Sequence, residues 1–238
     1  MGLGKALCDQ LLAEGWQVLS VDRHADRPAA NLEHLTCDLS DADEVDKLPD
    51  WLLSYGPFDL VILNAGSNAT GNFETLPLKV QERLVRLNAE TPMVLASMLA
   101  SNAMMARPST LVFVSSLSHF TYYPGAATYS ATKSAIAIHA KGLRKPFAKI
   151  GIAVSCVFPG PLDTAHAERH APQSARNNQR MKPQTAARII LAGVKSGRRS
   201  IFPGLSSWVI AAIGKIAPAP TARVMRQIIY KKLNRDVW

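Results

Sequence analysis

Acidic residues are scarce in the later part of this 238-residue chain. Residues 141–238 hold 3 Asp and Glu against 18 Lys and Arg, a balance of +15. Residues 1–140 hold 15 against 9, a balance of −6, so the net +9 sits entirely in the C-terminal part. That part faces either an anion (nucleic acid, a phosphorylated or acyl-carrier-bound substrate, an acidic membrane) or simply water. Cysteine is also rare. Cys8, Cys37 and Cys156 lie far apart with no C-x-x-C pair, which argues against a disulfide framework and a cysteine-based zinc site and fits a reducing cytosol. No signal-peptide pattern opens the chain, because Met1 runs straight into a polar amphipathic segment. Aromatic residues are 7% of the chain and do not interleave with basic ones, so nucleic acid is not expected as a partner. What remains is a chain with 47% apolar residues and a mean hydropathy of +0.02, which reads as one soluble globular domain.

Strands and helices alternate along it. Gly2-Leu3-Gly4 leads into a segment with Leu3, Leu7, Leu11 and Leu12 at helical spacing; Gly15 stops it, and residues 16–22 read as a strand ending in Asp22. A glycine-rich start, a helix and a strand ending in an acid form the second half of a dinucleotide-binding unit. Asp22 would take both adenosine-ribose hydroxyls and repel a 2′-phosphate, favouring NAD over NADP, although Arg23 beside it weakens that preference. The strand and first glycine turn that should precede Gly2 are not in the sequence, so two neighbouring strands are expected to lack a partner. Either Met1 is internal, with roughly a dozen residues upstream, the favoured reading, or the short form is real.

Residues 32–35 suggest a short strand, leaving through Asp38, which can reach an adenine amino group or cap a helix. An acidic helix is expected from Asp41 to about Tyr55. Residues 58–63 form a buried strand that runs into Asn64-Ala65-Gly66, whose small residues let a cofactor lie close or merely make a turn. A long helix over residues 78–106 carries Asn88, a polar residue in an apolar setting that is either a satisfied core amide or functional. Residues 152–158 form another strand, leaving through Pro159, Gly160, Leu162 and Thr164. The alternation predicts an α/β, Rossmann-like, doubly wound parallel sheet with helices on both faces and ligands at the strands' carboxyl ends.

The most informative stretch is SLSHFTYYPGAATYSATK, residues 116–133, after the apolar strand 111–114. Tyr129 and Lys133 are four apart and share a helical face, so the ammonium can lie beside the phenol. A cation there favours the phenolate and brings a tyrosine into range for proton transfer. Ser116, at the strand mouth, can hydrogen-bond the same carbonyl or hydroxyl. A lone Tyr-x-x-x-Lys is weak evidence, and an ordinary helix remains the plainer reading of it alone.

Taken together, Gly2-x-Gly4, Asp22, Asp38, Asn64-Ala65-Gly66, Asn88, Ser116, Tyr129-x-x-x-Lys133, Pro159-Gly160 and Thr164 resemble the short-chain dehydrogenase/reductase family from Gly2 to about Phe202. The resemblance implies a nicotinamide cofactor and a catalytic Asn88, Ser116, Tyr129 and Lys133. Tyr129 would be the general acid/base. Lys133 would lower its pKa and hold the nicotinamide ribose, Ser116 would orient the substrate, and Asn88 would anchor a water. Gly2 and Gly4 would hold the pyrophosphate, and Thr164 with the Leu162 backbone the carboxamide. Asp22, Asp38, Asn64, Ala65, Gly66, Pro159 and Gly160 complete the implied cofactor site. The departure from the family pattern is the absent first half of the glycine motif.

Residues 1–204 are therefore expected to form the dinucleotide-binding and catalytic domain, with 165–182 as a polar substrate loop. HAERH within that loop matches no zinc-helix pattern, so no metal is expected. Residues 205–238 are a helical tail, apolar over 205–217 and basic after the 218–220 break. The thirteen residues of that apolar segment are too few to span a bilayer. The tail either lies on an anionic membrane or packs on the cleft or a subunit interface. Two functions stay in view: a cytoplasmic oxidoreductase acting on a small alcohol or carbonyl substrate, with family analogy suggesting a homo-oligomer, and a non-catalytic Rossmann-like protein docking through its basic third.

Overall fold

The computed structural model describes residues 2–24, 29–170, 180–228, 230–232 and 237. The leucine spacing near the start yields α1 (Leu3–Ala13), and Gly15, at φ +83°, turns the chain into β1 (Val18–Asp22). β2 (Leu32–Thr36) lies parallel to β1. The acidic stretch breaks into two short helices rather than one, α2 (Ala42–Val45) and α3 (Leu48–Leu53). Asp41 caps α2 by accepting from the Asp43 and Glu44 N–H groups, while Pro49, without an N–H, fits only in the first turn of a new helix. β3 (Phe58–Leu63) follows.

The long helix expected over 78–106 ends earlier. α4 (Leu78–Val85) passes through a π-helical stretch, Arg86–Glu90, into α5 (Thr91–Ser101). Ala103 then adopts φ +52°, and Met105 opens β4 (Met105–Val114). Met104 and Met105 are buried in the core, so their hydrophobicity belongs to the strand's approach and not to a helix face. After β4 come α6 (Ser118–Thr121), which periodicity did not reveal, α7 (Ala127–Lys149), β5 (Ile152–Val157), α8 (Ala165–Arg169), α9 (Pro183–Lys195) and β6 (Ser200–Ile201). Two tail helices close the order, α10 (Leu205–Ile216) and α11 (Pro218–Ile228). The prolines at 218 and 220 open α11 and do not separate it from α10 by a longer break, because the first helical turn needs no N–H donors.

All strand pairs are parallel and helices cover both faces, as the alternation predicts. Leu111 and Phe113 of β4 face a core shared with α5 and α7, whereas Val112 and Val114 face one shared with α1 and α9. Burial on both faces explains why β4 reads as a continuous apolar run. The sheet is divided, however. β1 and β2 form a two-stranded piece; β3, β4, β5 and β6 form a separate four-stranded piece in that order. β1 and β3 are thus both edges, and both line the same long cleft. Among the described residues no strand joins them, which matches the two unpartnered neighbours expected from the sequence.

The tail packs on the main body through α6. At Gly214 a Cβ would run into the carbonyl oxygen of Phe120, so only glycine lets α10 approach this closely.

Candidate active site

The carboxyl end of β4 holds the centre of the site. Ser115, buried at that end, donates its hydroxyl to the Lys133 carbonyl at 2.7 Å and so straps α7 to the sheet. That strap fixes the α7 face carrying Tyr129 and Lys133. Thr132, between them, donates to the Tyr129 carbonyl at 2.8 Å. Lys133 is only 5% exposed, and its ammonium donates to the Val114 carbonyl at 3.0 Å. Burial draws its pKa from the ordinary 10.5 to about 8. At neutral pH it still carries a charge, held in a pocket that disfavours one.

Tyr129 is partly buried and lines the cleft together with Ser116. Burial raises its pKa above the ordinary 10, and the Ser116 hydroxyl opposes this by favouring the phenolate. The Lys133 ammonium is held by the Val114 carbonyl, and Ser116 lowers the phenol's pKa. Tyr123 lines the same cleft near Tyr129. Burial first, then its neighbour Tyr129, push its pKa up to about 12, and its hydroxyl donates to the His170 carbonyl at 3.3 Å.

Asn88 sits in the π-helical stretch at 1% exposure. Such bulges redirect side chains and recur at functional positions. Its amide oxygen accepts from the Ser67 N–H at 2.9 Å, and its amide nitrogen donates to the Ser67 carbonyl at 2.9 Å and to the Thr132 hydroxyl at 3.1 Å. The side chain is a satisfied buried amide that ties the loop after β3 to α7. Gly66 lies over this junction: a Cβ there would meet the Lys133 Nζ at 2.9 Å and the Asn88 Oδ1 at 3.1 Å.

A cleft of about 2270 Å³ runs from this centre along the carboxyl ends of the strands. Of the residues singled out in the sequence, Gly2, Gly4, Asp22, Asp38, Asn64, Ala65, Gly66, Ser116, Tyr129, Lys133, Pro159, Gly160, Leu162 and Thr164 line it; Asn88 stands behind the wall. The cleft is larger than a typical small-molecule pocket because it includes the gap between β1 and β3. At its far end no side chain caps the start of α1 at Gly2, and Gly4 is pressed against Asn64, whose Nδ2 would lie 2.9 Å from a Cβ.

Two acids behave differently there. Asp22, exposed at the end of β1, accepts from the His24 N–H at 2.9 Å. Asp38 is more heavily engaged: it accepts from the Ser40 N–H and hydroxyl at 2.9 and 2.5 Å and pairs with Arg83 at 2.6 Å. Burial pushes its pKa up, but Ser40 and Arg83 outweigh this and hold it below the ordinary 3.8. Its carboxylate fastens a loop to α4. Of the two alternatives left open for Asp38, the helix cap is not taken: Asp41 caps α2, the helix it was expected to start. Thr164 caps α8, accepting from the Ala167 N–H at 3.1 Å, and Leu162 bridges to Met181. The helical turn α8 interrupts the expected polar loop; the rest of that loop over 171–179 lies outside the described residues. Sequence reasoning missed Ser115, Thr132, Tyr123 and Arg83. A doubled serine at a strand end was the only local signal for the first, and Arg83 meets Asp38 across 45 residues.

The family model described as short chain dehydrogenase matches residues 1–175, and the chain belongs to that family of oxidoreductases. An uncharacterized oxidoreductase of Staphylococcus aureus (strain MRSA252) is 26% identical over 199 residues, covering 80% of this chain and 85% of the relative. Among solved structures, a short-chain dehydrogenase from Sphingobium yanoikuyae in complex with NADPH is similar with a TM-score of 0.75 at 20% identity, covering 95% of this chain and 91% of that one. A 4-hydroxyisoleucine dehydrogenase complexed with NADH has a TM-score of 0.75 at 21% identity, covering 87% and 95%. These two likenesses show the fold.

Proposed function

We propose that the chain moves a hydride between a nicotinamide dinucleotide and an alcohol or carbonyl carbon, with Tyr129 transferring the accompanying proton. The observation that carries this is the convergence of Ser116, Tyr129 and Lys133 on one cleft. Family membership and the NADH- and NADPH-bound structural relatives support it.

The residues present fit the cofactor. The uncapped helix start at Gly2 has nothing within 4 Å of its Cβ position, leaving room for a pyrophosphate against backbone N–H groups. Asp22, exposed and facing the cleft, suits ribose hydroxyls and repels a 2′-phosphate, so NAD is the preferred dinucleotide. Lys133 would hold the nicotinamide ribose, and Thr164 with the Leu162 backbone the carboxamide. The bound nicotinamide supplies or accepts the hydride.

The chain's own residues do the rest. Ser116 hydrogen-bonds the substrate oxygen and holds it beside the phenol. Tyr129, with its pKa raised by burial, keeps its proton at neutral pH and donates it to that oxygen in carbonyl reduction, taking one back in alcohol oxidation. Lys133, charged at that pH, stabilises negative charge developing on the phenol oxygen and is held in place by Val114. Asn88 keeps the loop after β3 and α7 at fixed distance, and its position behind the wall suits anchoring a water for proton exchange.

A second reading rests on the divided sheet: with β1 and β3 unjoined, the chain binds no dinucleotide and serves as a docking protein. Tyr129→Phe separates the two. The enzyme reading expects dinucleotide binding to persist while reduction of a ketone and aldehyde panel falls by about 10²–10⁴-fold, the usual worth of a positioned proton donor. Turnover equal to the parent chain sinks the mechanism; a folded parent without dinucleotide binding favours the docking protein.

A further inference from the structure

α10 is apolar on its outer face as well as its inner one. Ser207, Ala211 and Gly214 turn inward, and Gly214 rests on Phe120 of α6. Outward, Leu205 is 77% exposed, Trp208 55%, Ile213 53% and Ile216 83%, with Val209 beside them at 40%. A contiguous face of large apolar side chains on a soluble chain marks a contact surface. Lys215 on the same helix, and Arg223, Arg226 and Lys231 on the following segment, are exposed. From residue 169 to 235 the sequence contains no Asp or Glu at all.

We propose that this face docks on an anionic lipid surface, with α10 lying in the headgroup plane. An apolar stripe with a tryptophan, flanked by cations, is the pattern of an interfacial helix. Among the described residues no helix is long and apolar enough to cross a membrane, so the contact is peripheral. A second copy of the chain fits the face less well. A twofold contact would set the basic tails of both copies together with no acid on either patch to answer them. An anionic bilayer answers both the apolar stripe and the charge. The arrangement also has a consequence for access. Ser206 and Ile210 of α10, and Met225 of α11, line the cleft, so a docked chain holds the cleft wall within about one helix diameter, ~10 Å, of the headgroups.

The test is co-sedimentation of the full chain with phosphatidylcholine vesicles with and without phosphatidylglycerol. Binding is expected only with the anionic lipid, and added salt should weaken it. Arg223→Gln with Arg226→Gln should lower partitioning roughly fivefold per charge, from about 1 kcal/mol for each basic residue near such a surface. Trp208→Glu with Ile213→Glu should lower it by roughly tenfold or more. Both pairs are exposed, and circular dichroism checks that the fold is kept. No sedimentation, or sedimentation unchanged by both pairs, overturns the proposal. So does a dimer by light scattering that Trp208→Glu converts to a monomer, since a second copy would then cover the face.

Discussion

Lys133→Met should make the protein more stable while abolishing its turnover. The lysine is buried, and burial draws its pKa from 10.5 to about 8. Below pH 8 both folded and unfolded chains carry the proton, so folding pays the full burial cost of the charge, about 3 kcal/mol at 1.36 kcal/mol per tenfold change. As pH rises from 8 toward 10.5 the folded lysine loses its proton while the unfolded one keeps it. The unfolded state then binds more protons, and stability climbs across that window. Methionine removes the burial cost but also the hydrogen bond to the Val114 carbonyl, worth about 1–1.5 kcal/mol. The net gain is about 2 kcal/mol at pH 7, or roughly 4–8 °C in Tm for a chain of this size. Above pH 10.5 the advantage should disappear. Urea melts of both chains at pH 7 and pH 10.5 check this. A variant that is less stable than the parent at pH 7, or a stability difference flat with pH, refutes the reasoning.

Other outcomes follow from the same contacts. Gly214→Ala must push α10 off the Phe120 carbonyl, a backbone atom that cannot swing aside. A loss of about 1–3 kcal/mol is expected, together with faster hydrogen exchange over Leu205–Ile216; unchanged exchange would show that α10 is not tied down there. Asp22→Ser should raise the use of NADPH relative to NADH by about tenfold or more, because the charge facing a 2′-phosphate is gone, and an unaltered ratio would remove Asp22 from the cofactor site. Gly4→Ala should move the Asn64 amide and raise the KM for the dinucleotide with little effect on Tm, since the atom it meets ends a side chain; an unchanged KM would detach Gly4 from binding.

Much of this was legible in the sequence because period and punctuation are local. The residues 111–114 run announced a strand buried on both faces, Gly15 announced a helix stop, and Tyr129 with Lys133 announced a shared face. The divided sheet agrees with the expectation that two neighbouring strands lack a partner. What the sequence concealed depends on partners far along the chain. The partners that hold Asp38, namely Ser40 and Arg83, could not be read from its position at a strand exit. The hold of the Val114 carbonyl on the Lys133 ammonium was not legible either, because the two lie 19 residues apart. The helix over 78–106 overran because Met104 and Met105 continue its hydrophobicity while serving the next strand. Apolar character says that a residue is buried, not which element buries it.

The most direct measurement is a fluorescence titration of the folded chain with NADH and with NADPH. Saturable binding is predicted, tighter for NADH, and weakened for NADH by Asp22→Ser. A chain that is folded by circular dichroism and binds neither dinucleotide contradicts the oxidoreductase account and leaves the gap between β1 and β3 as its physical reason.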